Sequence, residues 1–299
     1  MSSLEKLTPW AEKAWQTGME RLYHEKTNLI YDFITDYDTR HRFDLLPTPA
    51  EIRDQYPNPN GWATGMEDST INGGVMLACL CDRFTATGDP RVRKEAALIY
   101  QGLKLCGCIS REPGFVVRSV SPFDGASYYI ETSRDQLTHF AHGLWRYFNS
   151  PLADEHQKTE MQDMMTRLAE RMLRRITPEN DYHFGREDGS PGLPDRMWGA
   201  ISAHEFARLP LIYGVTWQMT GSDQWRKLHL EYARTAIERC AAVRLDNVPA
   251  RPCYGLFQHQ YALEALAALA PDADMREAWR CQMRRIAEAM PPYAAKFQN

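Results

Sequence analysis

The sequence has almost no strand signal. Its one β-branched run of note, Phe115-Val116-Val117-Arg118-Ser119-Val120, lies inside a long connection, and elsewhere apolar residues recur at helical spacing. An all-α chain is expected. No uncharged apolar run approaches the roughly 18 residues a membrane-crossing helix needs, so no membrane partner is expected. The opening residues MSSLEKLTPW carry charges where a secretory leader needs an apolar stretch, which points to a cytoplasmic protein. Charge of one sign is lacking too. The 35 Lys and Arg against 39 Asp and Glu leave −4, an argument against nucleic acid or any general polyanion as partner. Neither His-Glu-x-x-His nor Cys-x-x-Cys spacing occurs. The seven cysteines are odd in number, and Cys79-Leu80-Cys81 and Cys106-Gly107-Cys108 have the wrong spacing for a zinc knuckle. Reduced thiols packed as small residues, no metal and no cofactor are expected.

What is abundant is aromatic. Eight Trp and fourteen Tyr are present, many in loops that precede helices, a placement that suits sugar-binding clefts as well as packing. Thr8 and Pro9 read as N-cap and N1 of a first helix running from Trp10 to about Phe33. Thr48-Pro49-Ala50-Glu51 reads as a capping box for a short one.

From residue 60 onward a unit repeats. A loop rich in Gly, Pro and aromatics leads into an apolar helix, a tight turn follows, and a charged amphipathic helix closes the unit. The turns fall near residues 88, 150, 221 and 271. Thr87-Gly88-Asp89-Pro90 and Thr220-Gly221-Ser222-Asp223 are one device, in which Gly ends a helix left-handed and Asp or Ser caps the next. The other two turns use Pro. The first helix of each unit is apolar nearly all round and the second carries a single stripe, so the first is expected inside and the second outside. Hairpins arranged this way predict one domain over residues 1–299 built as an α/α toroid, with fewer helices than the twelve of a six-hairpin ring.

If the inner helices run parallel, their first turns and the loops before them share one end. The carboxylates Glu67, Asp68 and Asp135 then meet at the starts of neighbouring helices, about 8–10 Å apart at the axes. That suits the 5–10 Å separations of glycoside hydrolysis. Asp135 is the expected acid/base, Asp68 its partner and Glu67 the competing assignment. Plain capping is the structural alternative, since Ser133-Arg134-Asp135-Gln136 reads as a capping box and Asp68-Ser69-Thr70 supplies ready N-caps. Arg118, Arg134 and Arg196 are candidates to hold a carboxylate. Trp62, Tyr128, Trp198 and Tyr254, with Tyr129, are candidates to stack on sugar faces, and core packing is their alternative. His139 shares a helix face with His142, and His204 and His259 occupy early turns of other inner helices; hydrogen-bonded cleft or core histidines are the default for all.

The segment Gly61-Trp62-Ala63-Thr64-Gly65-Met66-Glu67-Asp68-Ser69 resembles the Gly-Met-acid-polar-Ser motif of six-hairpin glycosidases. Within that superfamily the chain is most similar to the unsaturated glucuronyl hydrolases and related uronyl hydrolases. It lacks their Trp-Gly-rich segments and is shorter. The resemblance implies an (α/α)6-type toroid, paired aspartates at inner-helix ends, and a small acidic, uronic-acid-containing oligosaccharide as substrate. If that substrate is an unsaturated uronide, it implies protonation of the double bond and addition of water. Three alternatives stay open: a toroidal lyase with His139, His204 or Tyr254 as base, a sugar isomerase or epimerase, and a non-catalytic helical-repeat binding protein. A homo-oligomer is compatible with each.

Overall fold

The computed structural model describes residues 3–193, 195–245 and 254–291. Among them are ten α-helices, two 3-10 turns and one two-stranded sheet. Helix α1 (Ser3–Leu22) contains Pro9 inside rather than at its start. It also stops well before Phe33. Tyr23–His24 (β1) pairs antiparallel with Leu29–Ile30 (β2). Asn28, at φ 55, takes the left-handed conformation that this residue type tolerates, and its N–H donates to the His24 carbonyl at 2.8 Å. A helix through Ile30 would carry Leu29, Ile30 and Tyr31 away from the cores in which they are buried. Thr48 does cap α2 (Pro49–Arg53) through a complete capping box with Glu51.

Four helical hairpins follow. Their inner members are α3 (Ser69–Thr87), α5 (Arg134–Phe148), α7 (Arg208–Thr220) and α9 (Tyr254–Leu269). Their outer members are α4 (Arg91–Cys108), α6 (Glu155–Arg175), α8 (Asp223–Ala241) and α10 (Ala273–Ala289). Gly88 and Gly221 terminate α3 and α7 with φ 64 and 71, as the turn chemistry requires. The caps that follow are less uniform. Asp89 accepts the Arg91 N–H at 2.9 Å, whereas Ser222 makes no side-chain cap bond.

Contacts at both ends set the direction of the inner helices. At their starts Gln136 of α5 reaches Asp68 before α3, and Arg208 of α7 reaches Asp135 of α5 and Gln258 of α9. At their far ends Arg146 of α5 pairs with Asp82 of α3 and Glu264 of α9, and Trp145 Nε1 donates to Gln218 of α7 at 2.6 Å. Like ends meet like ends, so α3, α5, α7 and α9 run parallel. α5 packs against α3, α7 and α9 alike. Its approach to α3 is close enough to exclude side chains: a Cβ on Gly143 would lie 2.7 Å from the Gly74 Cα, and one on Gly74 would collide with the His139 carbonyl.

The main core spans all four hairpins. A second cluster, containing Leu29, Tyr31, Phe43, Ile52, Met66, Phe115 and Val117, sits under the loops and anchors the chain that leads into α3. The stretch 115–120 is extended and buried but forms no strand. Its carbonyls serve α3 instead, with Thr70 N–H donating to Arg118 O at 2.9 Å and Thr70 Oγ1 to Val117 O at 2.8 Å. No helix among the described residues is long and apolar enough to cross a membrane. Cys79, Cys81, Cys106, Cys108, Cys240 and Cys281 are free thiols, and Cys253 lies outside the described residues.

Candidate active site at the starts of the inner helices

The parallel inner helices deliver two linked polar clusters to one end. The first surrounds the start of α3. Asp68 is its N-cap residue by position, yet its side chain makes no cap hydrogen bond. The amides there are taken up by groups from elsewhere in the chain: Thr70 N–H by Arg118 O, and Ile71 N–H by Gln136 Oε1 at 3.2 Å. Gln136 Nε2 donates to Asp68 Oδ1 at 2.7 Å and to the Glu67 carbonyl at 2.9 Å. The expected capping box at Ser133 is therefore only half made. Ser133 Oγ accepts the Gln136 N–H, but the Gln136 side chain crosses to α3 instead of returning. Buried Arg118 lies 3.6 Å from Asp68 Oδ1 and donates to the Glu67 carbonyl at 3.0 Å.

Partial burial pushes the Asp68 carboxyl, whose side chain is 41% exposed, above its ordinary value; Arg118 and Gln136 oppose this, and the charges of Glu67 and Asp135 add to it. Glu67 has another task. Its Oε2 accepts the Ala63 N–H at 2.7 Å, tying down a loop in which Ala63 sits at φ 61. Behind this turn stands Asp32, which the sequence reading passed over. It accepts the N–H groups of Glu67 at 2.7 Å and Asp68 at 3.1 Å, and the Asn72 Nδ2 at 3.1 Å. Burial, with the neighbouring Asp68, pushes its carboxyl up to about 7.

The second cluster joins α5, α7 and α9. Asp135, with 28% of its side chain exposed, is 2.8 Å from Arg208 Nη1. Arg208 is 3% exposed and also donates to Thr138 Oγ1 and Gln258 Oε1 and pairs with Glu205. Glu205, in the 3-10 turn Ala203–Ala207, further holds Arg134 Nε at 3.2 Å and His204 Nε2 at 3.1 Å. Burial alone would raise the Glu205 carboxyl; Arg208, His204 and Arg134 hold it far below the ordinary value. The charge of Asp135 acts on both Asp68 and Arg118, so the two clusters form one electrostatic neighbourhood.

The remaining candidates fall into three groups. The arginines are already engaged: Arg118 with Asp68, Arg134 with Glu205 and the Arg196 carbonyl, and Arg196 with Asp181. Of the aromatics, Trp62 and Tyr254 are exposed, at 44% and 59%. The Tyr128 hydroxyl donates to Glu187 at 2.6 Å, Tyr129 is buried, and Trp198 packs edge-on between Phe206 and Tyr232. Trp198 borders a cleft of about 220 Å³ with Tyr182 and Glu231, lined by neither Asp68 nor Asp135. The histidines lie inward. His139 and His142 flank the Tyr261 ring with centroids 5.0 and 4.9 Å away, and His204 and His259 are 6.2 Å apart. Burial pushes His139 and His259 down to about 3, so both are neutral near pH 7. His259 is 2% exposed, and neither ring nitrogen has a hydrogen-bond partner among the described residues. Among those residues no three His, Cys, Asp or Glu side chains are arranged to hold a metal.

Arg208, Gln136 and Asp32 were the residues missed. Arg208 had a readable signal: a charge inside the apolar run Phe206-Ala207-Arg208-Leu209-Pro210-Leu211 must be paired once buried. So did Asp32, within Leu29-Ile30-Tyr31-Asp32-Phe33-Ile34. Gln136 had none, because only the packing of α5 on α3 gives it a partner. Compared with known proteins, the chain matches no family model, no curated protein and no solved structure.

Proposed function

We propose that this chain is a glycoside hydrolase of the α/α-toroid kind, with a partial ring of four hairpins, acting on a small oligosaccharide through Asp68 and Asp135. The observation that carries this reading is the opposed setting of two neighbouring aspartates. Asp68 is pushed above its ordinary value by burial and by the charges of Glu67 and Asp135, whereas Asp135 stands 2.8 Å from the guanidinium of Arg208. One carboxyl raised among carboxylates beside another paired with a guanidinium is an arrangement that suits acid and base roles. The roles are then the reverse of the expectation from sequence. Asp68 gives its proton to the glycosidic oxygen, the bond from that oxygen to the anomeric carbon breaks, and its electron pair stays on the oxygen. Asp135 takes a proton from the water that attacks the anomeric carbon. Exchange with solvent restores both carboxyls. Exposed Trp62 and Tyr254 are the stacking surfaces this reading uses.

An acidic, uronic-acid-containing substrate rests on the superfamily resemblance alone, because Arg118, Arg134 and Arg196 each hold a group of the chain itself. A lyase or epimerase would need an accessible histidine or tyrosine base. Of the candidate bases, His139 is neutral as a base must be but buried, His204 is held by Glu205, and Tyr254 is exposed. The test is a panel of neutral, saturated-uronide and unsaturated-uronide oligosaccharides, followed by reducing-end release and by absorbance of the unsaturated ring. Reducing-end release is expected, with loss of absorbance if an unsaturated uronide is the substrate. Gain of absorbance would mean elimination, and no turnover of any member would remove the hydrolase reading.

A further inference from the structure

The start of α3 poses a geometric problem: a residue at its N-cap position has a carboxyl that does not cap. Free Asp, Ser and Thr side chains at that position ordinarily fold back onto the helix amides. Asp68 does not, because its own N–H and that of Glu67 are gripped from behind by Asp32, and the amides of Thr70 and Ile71 are taken by Arg118 O and Gln136. The grip is built rather than incidental. Asp32 follows directly on Tyr31, which is fully buried and whose hydroxyl donates to the Val120 carbonyl at 2.6 Å. Its own N–H donates to Gly65 O at 3.2 Å, and the Asn72 amide closes the other side of its carboxylate.

We propose that Asp32 is a positioning residue for Asp68, orienting its carboxyl toward Gln136 and Arg118 by holding the Glu67 and Asp68 amides. This rests on the hydrolase reading for its purpose, but the coupling between the two carboxyls is a property of the protein without substrate. The charged groups that act on Asp68 are Arg118, Glu67 and Asp135; Arg118 favours the anion and the two carboxylates disfavour it. Asp32 is the carboxylate that holds the Asp68 backbone. The Asp68 charge in turn raises Asp32, so Asp32 must release its proton at lower pH when Asp68 is made neutral.

The experiment is a carboxyl titration by NMR with ¹³C-labelled aspartate in the wild-type chain, Asp32→Asn and Asp68→Asn, with the missing resonance in each variant giving the assignment. In Asp32→Asn the Asp68 carboxyl and amide resonances are expected to shift, because the grip on its backbone is weakened. In Asp68→Asn the Asp32 midpoint is expected to fall by about one pH unit, roughly a tenfold change in its acid constant, because the Asp68 charge is one of the causes that raise it. This second variant keeps the test valid if Asp32→Asn does not fold, since the Asp68 side chain makes no cap bond to lose. The amide protons of Glu67 and Asp68 should also shift with the Asp32 midpoint in the wild-type chain. An unchanged Asp32 midpoint in folded Asp68→Asn, or amide protons that ignore the titration of Asp32, would overturn the proposal. Such a result would leave the hydrolase reading standing. Conversely, an inactive enzyme with coupled carboxyls would remove that reading and leave the coupling intact.

Discussion

The two ends of the inner helices are made of the same residue types and differ in how those residues are held. At the turn end, charges meet near water: Arg91 pairs with Asp89 on the surface, and Arg146 bridges Glu264 and Asp82, the latter 67% exposed. The chain there reverses within a few residues, and glycines at φ 64 and 71 do the work. At the opposite end, long loops run into the helices and carry their charges inward. Arg208 is nearly sealed, and Asp32, Asp68 and Glu205 all have carboxyls displaced from their ordinary range, two upward and one downward. A tight turn can be exchanged for another at little cost. A buried network cannot, and its persistence in one place is the physical reason to seek chemistry there.

That contrast has measurable consequences, and the largest concerns paired arginines. Arg208→Met removes the cation that Asp135 and Glu205 share, leaving Glu205 with Arg134 and His204, and should cost about 3–5 kcal/mol in urea unfolding. Next is the pH dependence that Asp32 imposes. Its folded value of about 7 lies above that of an unfolded aspartate, so its contribution is fully present below about pH 4 and is lost as pH rises through 7. Simple linkage over these roughly three pH units is about 4 kcal/mol, and Asp32→Asn should remove that contribution. His139 and His259 act in the other direction. Held down to about 3, they stay neutral in the fold, so stability is full above about pH 6.5 and falls as acid charges them. The two effects oppose each other between about pH 4 and 6.5, so thermal melts should show a steeper rise with pH in Asp32→Asn than in the wild-type chain, and identical curves would break the account of the buried end.

The turn end should respond less. Gly88→Ala or Gly221→Ala forces a side chain into the left-handed region and should cost about 1–2 kcal/mol, with no effect on the opposite end. Smallest is Arg146→Met, expected near 1 kcal/mol or below, because Asp82 is solvated without it. Equal losses from Arg146→Met and Arg208→Met would erase the distinction between the two ends.

The same distinction explains what could be read from sequence. The hairpins were legible because helical period, the Gly turns and the capping box at Thr48 are local signals. The first helix was overextended because the apolar stripe continues through Leu29, whereas the αL turn at Asn28 and the buried sites of Leu29, Ile30 and Tyr31 are set by the whole fold. At the site, the position of Asp68 and Asp135 on adjoining helix starts followed from the repeat. Their environments did not. Arg208 reaches Asp135 from 73 residues away in the chain, and Arg118 and Gln136 are directed at α3 by packing. For the same reason the arginines expected to meet a substrate carboxylate were found bound to internal groups.

The proposed function requires Asp68 and Asp135 to act as a pair. The most direct measurement is kcat/KM of Asp68→Asn and Asp135→Asn on the oligosaccharide that the wild-type chain turns over fastest, alongside their urea midpoints. Each variant should lose at least about a hundredfold in rate while remaining folded. Wild-type turnover by either variant would contradict the account.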